Sequence, residues 1–141
     1  MAPTSHRSTG PLAGRRRARG VAVAATVAVA AAVWMVATAL FRVDLLVRDN
    51  DGGTRTVGLG AVAATSLIAS VLGWALLAVL ESRVRHARPI WTGAASVLLL
   101  LSLAGPLTAG ATTASTVTLA LLHLTVGAVL LTLLGRGVSA R

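Results

Sequence analysis

Cysteine is absent from this 141-residue chain. That excludes a disulfide framework, a thiolate zinc site, an iron–sulfur cluster and a cysteine nucleophile. Charge is scarce: 12% of residues are charged, half of the roughly 25% usual in a soluble domain. Acids are scarcest, with four Asp and Glu in all, and those four fall in loops or at a helix end. Paired carboxylates, a Ser-His-Asp set, a phosphate-cradling glycine loop and an H-E-x-x-H helix are missing. The expectation is a non-enzymatic protein with no cofactor and no metal site. Lysine is absent too, and all thirteen basic residues are arginine. A GC-rich genome explains that bias as well as any function does.

What is present is hydrocarbon. Hydrophobic residues make up 55% of the chain, and the mean hydropathy is +0.81. Those values exclude an ordinary water-soluble globule, and equally a disordered chain, which needs low hydrophobicity and high charge. The length allows one domain.

Three runs lack charge: Gly20–Phe41, Thr56–Leu80 and Pro89–Gly135, the last interrupted only by His123. A spanning helix needs about 20 apolar residues, so the third run holds two spans. It divides near Gly105-Pro106, where proline cannot continue a helix and glycine commonly ends one. The small polar stretch Thr108–Thr116 follows. The expected fold class is an all-α membrane protein. A four-transmembrane-helix bundle has helices about 20–41, 58–81, 90–107 and 114–135, with a short outer β-hairpin between the first two. Residues 1–19 read as a disordered basic cytoplasmic tail and 137–141 as a second cytoplasmic tail.

Arginine placement orients the bundle. With the N-terminus in the cytoplasm, ten arginines lie inside: five before residue 20, then Arg83, Arg85, Arg88, Arg136 and Arg141. Only Arg42, Arg48 and Arg55 lie outside, beside Asp44, Asp49 and Asp51. Ten against three obeys the positive-inside rule, giving a multi-pass protein of the cell (inner) membrane with both termini cytoplasmic. Trp91 and Pro89 open the third span at the inner interface, where an indole belongs. One alternative stays open. Arg15–Arg19, the first apolar run and Ala37-Thr38-Ala39 resemble a secretory signal with its cleavage site, although the apolar run is long for one.

The segments outside the bilayer carry weaker signals. The N-terminal tail has no aromatic residue to stack on bases, so nucleic acid is not an expected partner. The outer segment Val43–Arg48, Asp49–Gly53, Thr54–Val57 has β-formers on both sides of a turn cluster, the pattern of a hairpin. Asp49-x-Asp51-Gly52 resembles the start of a calcium loop, but no closing glutamate follows. On the inner side, Glu81 and Arg85 are spaced to pair on a helix. Arg83, Arg85 and Arg88 are candidate contacts for anionic lipid headgroups, with His86 a solvated loop residue.

Within lipid, small residues and interhelical hydrogen bonds hold helices together. The first span offers Ala24, Ala28, Ala31 and Ala32 as a small face, and the second offers Ser66, Ala69, Ser70 and Gly73. The third has Thr92, Gly93 and Ser96, and the fourth Thr112, Thr116, Ala120, His123 and Gly127. His123 is the one ionisable side chain well inside a span, which makes it a functional candidate. His123, Thr116, Ser66 and Ser70 form the candidate intramembrane polar site. The imidazole either bonds across to Ser66, Ser70 or a backbone carbonyl as structural glue, or serves a proton or ligand pathway.

Several short motifs carry a family resemblance: Val43-Asp44-Leu45 through Thr56-Val57-Gly58, Gly73-Trp74, Arg88-Pro89-Ile90-Trp91-Thr92, Leu103-Ala104-Gly105-Pro106-Leu107 and His123-Leu124. Over roughly residues 20–136 the chain resembles a family of uncharacterised actinobacterial four-helix integral membrane proteins, a domain of unknown function. The resemblance implies four spans and supplies no activity or site residues. Two other four-helix groups do not fit. Small multidrug-resistance transporters use a glutamate in their first helix, and a claudin-like protein needs a longer outer loop with cysteines. The functional expectation is an interaction or scaffold subunit, associating with the lipid bilayer, anionic lipids, and a homo-oligomer or membrane protein partner. The alternative is a small oligomeric transporter or channel subunit with His123 near the pathway.

Overall fold

In the computed structural model, residues 11–49 and 51–136 are described. The outermost parts of both expected tails, 1–10 and 137–141, lie outside them. The elements run α1 (Pro11–Met35), a π-helical extension (Val36–Leu40), β1 (Leu46–Arg48), β2 (Thr54–Thr56), α2 (Leu59–Arg83), α3 (Ala87–Ser102), α4 (Ala104–Ala109) and α5 (Thr113–Arg136). Among the described residues four helices are long and apolar enough to cross a membrane: Arg16–Leu40, Leu59–Arg83, Ala87–Ala109 and Thr113–Gly135. α1 and α3 each pack against both α2 and α5. The spans therefore form a ring in the order α1, α2, α3, α5, with the hairpin at one end and both described chain ends at the other.

The first helix starts earlier than its apolar run. Residues 11–19 are helical, which corrects their assignment to a disordered tail. Arginine and alanine are strong helix formers, and Pro11 sits at the first helical position, where its missing N–H costs nothing. Arg19 Nη2 donates to Glu81 Oε2 at 2.6 Å, tying α1 to the end of α2. The spacing-based partner of Glu81 was Arg85. α2 ends at Arg83 and Val84 is extended, so Arg85 leaves the helical face.

The buried seam of α1 is also a correction. Ala22, Thr26, Ala30 and Ala37 are buried, whereas Ala24, Ala28 and Ala32 are exposed and Ala31 is half-buried. The inward stripe lies one register away from the expected one. On α2 the expected face holds: Ser66 and Ser70 are buried along with Val62 and Leu77. On α3, Thr92 and Gly93 are exposed and Trp91 is buried in their place. Its indole Nε1 donates to the Gly73 carbonyl at 3.1 Å. Trp91 thus faces the bundle interior rather than the surrounding lipid, in a cluster with Ala22, Leu77 and Leu134.

Pro106 lies within the third span without ending it. α3 stops at Ser102, and the chain restarts as α4 with Pro106 in its first turn. Proline supplies no N–H to the Ser102 carbonyl, which interrupts the ladder there. The true stop is Gly110, which is extended at φ −60°, ψ 121°. A Cβ there would overlap Thr116 Oγ1 and come within 2.9 Å of the Pro106 carbonyl oxygen, so only glycine fits the corner.

The hairpin forms where expected. β1 and β2 pair antiparallel with Leu46 opposite Thr56, Val47 opposite Arg55 and Arg48 opposite Thr54. Gly52 adopts φ +80° in the turn, a conformation natural to glycine. Two strands alone are marginal, and here they lean on the helix ends. Val47 bridges Gly110, and the Ala111 amide donates to the Leu46 carbonyl at 3.0 Å. Ser115 completes the joint. Its buried hydroxyl donates to the Asp44 carbonyl at 3.0 Å and accepts from the Leu46 amide at 3.0 Å. That leaves Thr112 Oγ1, 2.8 Å away, as a donor to it. Thr112 in turn accepts from the Ser115 amide at 3.1 Å, the side-chain cap of α5. Trp34 adds a further tie, its Nε1 donating to the Val57 carbonyl at 3.0 Å.

Candidate functional site

Three helices enclose a cavity of about 610 Å³. α2 supplies Val62, Ser66, Ala69 and Gly73 to its wall, α3 supplies Ala95, Leu99 and Ser102, and α5 supplies Leu122, His123 and Val126. Trp91 closes the end away from the hairpin. The reason for the gap is the shape of the contacts around it. α2 and α3 meet at the Trp91–Gly73 hydrogen bond. α3 and α5 meet where Leu99 covers Gly127, so closely that a Cβ on Gly127 would lie 2.5 Å from Leu99 Cδ1. Large side chains at these points hold the helices apart elsewhere. Leu72 and Leu98, which also line the cavity, are 63% and 58% exposed, so it opens sideways between α2 and α3.

The polar groups on this wall are few. His123 is half-buried and its Nδ1 lies 2.8 Å from the Leu119 carbonyl of its own helix. A carbonyl only accepts, so Nδ1 carries a proton, and in the neutral ring Nε2 is the nitrogen with the lone pair. Of the expected acceptors, Ser66, Ser70 or a backbone carbonyl, it is a backbone carbonyl that His123 meets, but one along α5 rather than across to another helix. Ser66 is 6% exposed. Its carbonyl accepts from Ser70 Oγ at 2.6 Å, while its own hydroxyl makes no hydrogen bond among the described residues. Ser102 is satisfied by the Leu99 carbonyl at 2.7 Å.

The candidate polar set therefore divides. His123 and Ser66 face one cavity. Ser70, fully buried, and Thr116, packed on Gly110, do not line it. Ser102 and Trp91 were not foreseen as wall residues. The one signal for Ser102 was a hydroxyl within the leucine run 98–103. Arg83, Arg85 and Arg88 lie together around the α2–α3 turn, all three exposed. Among the described residues no three His, Cys, Asp or Glu come together as metal ligands.

Comparison with known proteins gives one positive finding. The model of a family described as "Family of unknown function (DUF6069)" matches residues 11–140, and the chain belongs to that family. No curated protein and no solved structure matches it.

Proposed function

We propose that this member of the family is a non-enzymatic integral membrane protein that works by association within the bilayer, as an interaction or scaffold subunit. The observation that carries the reading is the outward face of α1. Gly20, Ala24, Ala28 and Ala32 recur every four residues and are exposed, although α1 already has a separate buried seam. Small residues let helix backbones approach closely in lipid, and this stripe offers a second helix such an approach. The partner is another copy of the chain or a different spanning helix. Arginine distribution supports placing both termini in the cytoplasm, with Arg83, Arg85 and Arg88 against anionic headgroups.

Fluorescence energy transfer between labelled copies in lipid vesicles tests the association. The expected result is transfer that falls when Ala24 and Ala28 are replaced by leucine, with thermal stability unchanged. Unaltered transfer in that variant, together with no partner lost on gentle purification, would overturn it. Reporter fusions at residue 141 and within 49–53 test the orientation; periplasmic activity at residue 141 would reverse it. A second reading, a small transporter subunit, is favoured by the shared cavity of His123 and Ser66. Proton flux in liposomes, lost in His123→Asn without loss of fold, would select it.

A further inference from the structure

We infer that the cavity between α2, α3 and α5 is a binding site for a neutral, lipid-soluble molecule bearing a hydroxyl group, which Ser66 and His123 hold. The volume, about 610 Å³, falls within the range of roughly 300–1,000 Å³ typical of ligand pockets, which are mostly apolar with a few placed polar groups. The chemistry of the wall selects the ligand. No charged residue lines the cavity. An anionic headgroup would find no cation there and would meet the lone pair of His123 Nε2. An ammonium group would find no carboxylate. A plain hydrocarbon would leave the Ser66 hydroxyl and His123 Nε2 without partners, and buried polar groups are normally paired.

A hydroxyl complements both at once. It donates to His123 Nε2, whose tautomer is set by the Leu119 carbonyl 2.8 Å from Nδ1, and it accepts from Ser66 Oγ. Ser66 differs in this respect from Ser70 and Ser102; the remaining hydroxyl on the wall, Thr65, belongs to an exposed residue. Ser70 and Ser102 spend their hydroxyl protons on carbonyls of their own helices. Ser66 as a residue is 6% exposed, and it lines the cavity with no hydrogen bond from its hydroxyl to another described residue. The route in is the lateral opening beside Leu72 and Leu98. A ligand dissolved in the bilayer reaches it without crossing water, and its chain lies along the aliphatic wall.

The test uses the full chain in lipid nanodiscs and three photoreactive probes with the same diazirine-bearing chain: hexadecanol, hexadecanoate and hexadecane. The alcohol should label α2 and α5 peptides that line the cavity, saturably and in competition with unlabelled hexadecanol, while acid and hydrocarbon label weakly. Ser66→Ala and His123→Phe should each weaken the alcohol about five- to tenfold, the worth of one hydrogen bond. Ala95→Phe should block labelling while the thermal transition is kept. Equal labelling by all three probes, or alcohol labelling indifferent to Ser66→Ala in a folded variant, would reduce the cavity to an apolar crevice and overturn the inference. So would exclusion of the alcohol in self-associated protein but not in monomer, since a second copy would then fill the space. Energy transfer between copies is read separately, so this inference and the proposed association fail independently.

Discussion

The two helices that sit opposite each other in the ring, α1 and α3, both pack on α2 and α5, yet they do so by opposite means. α1 presents alanines and a threonine, and its contact is close enough to bury Ala22, Thr26 and Ala30 almost completely. α3 presents Trp91 and Leu99, and leaves a cavity beside them. Where no hydrophobic force draws helices together, backbone approach decides the packing. Small side chains permit that approach along α1 from Ala22 to Ala30. Two large ones prop α3 away from its neighbours except at the points they touch.

Removing the prop should have the largest effect. Trp91→Ala deletes a ring 1% exposed and its hydrogen bond to Gly73. A loss of about 3–5 kcal/mol is expected, read as a lower thermal transition in detergent. Next is the close seam. Ala30 is fully buried, and Ala30→Leu should cost about 1–3 kcal/mol through overpacking. If that variant is as stable as the parent, the α1 contact is looser than described and the contrast collapses. Smaller is Gly127→Ala. Its new methyl would lie 2.5–3.0 Å from Leu99 Cδ1, Cδ2 and Cγ, so the leucine must shift, and about 1 kcal/mol, the low end of overpacking costs, is expected. The smallest is Ala95→Leu. The same substitution type that harms α1 should change stability by no more than about 0.5 kcal/mol on the cavity wall, and a paired melting comparison with Ala30→Leu measures the contrast directly.

Sequence made the four spans and the hairpin legible, because charge-free length and a turn cluster are local properties. It also picked out Ser66 and His123, since a polar group inside an apolar run stands out. The register of α1 was not legible. Ala22-Thr26-Ala30 and Ala24-Ala28-Ala32 are equally small stripes, and the choice between them rests on what α2 and α5 present. The inward packing of Trp91 was not legible because an indole near a helix end suits lipid headgroups as well as a bundle interior with an acceptor such as the Gly73 carbonyl. Gly105-Pro106 reads as a stop, but proline is equally at home in a first turn, which is where α4 puts it. The length of α1 was set by the helix propensity of an arginine–alanine segment that charge alone assigned to a tail.

The joint at Ser115 sets an order of events in assembly. The partners of its hydroxyl, Asp44 and Leu46, precede it by 71 and 69 residues. During synthesis the strand pair emerges long before the last helix exists. Until then β1 has one edge covered by β2 and the other open. Arrival of the α4–α5 corner closes that edge in one step, with Val47, Leu46 and Asp44 all finding their partners together. Closing loops of that length is entropically costly, so this latch belongs to the late, cooperative stage of folding rather than to insertion of the individual helices.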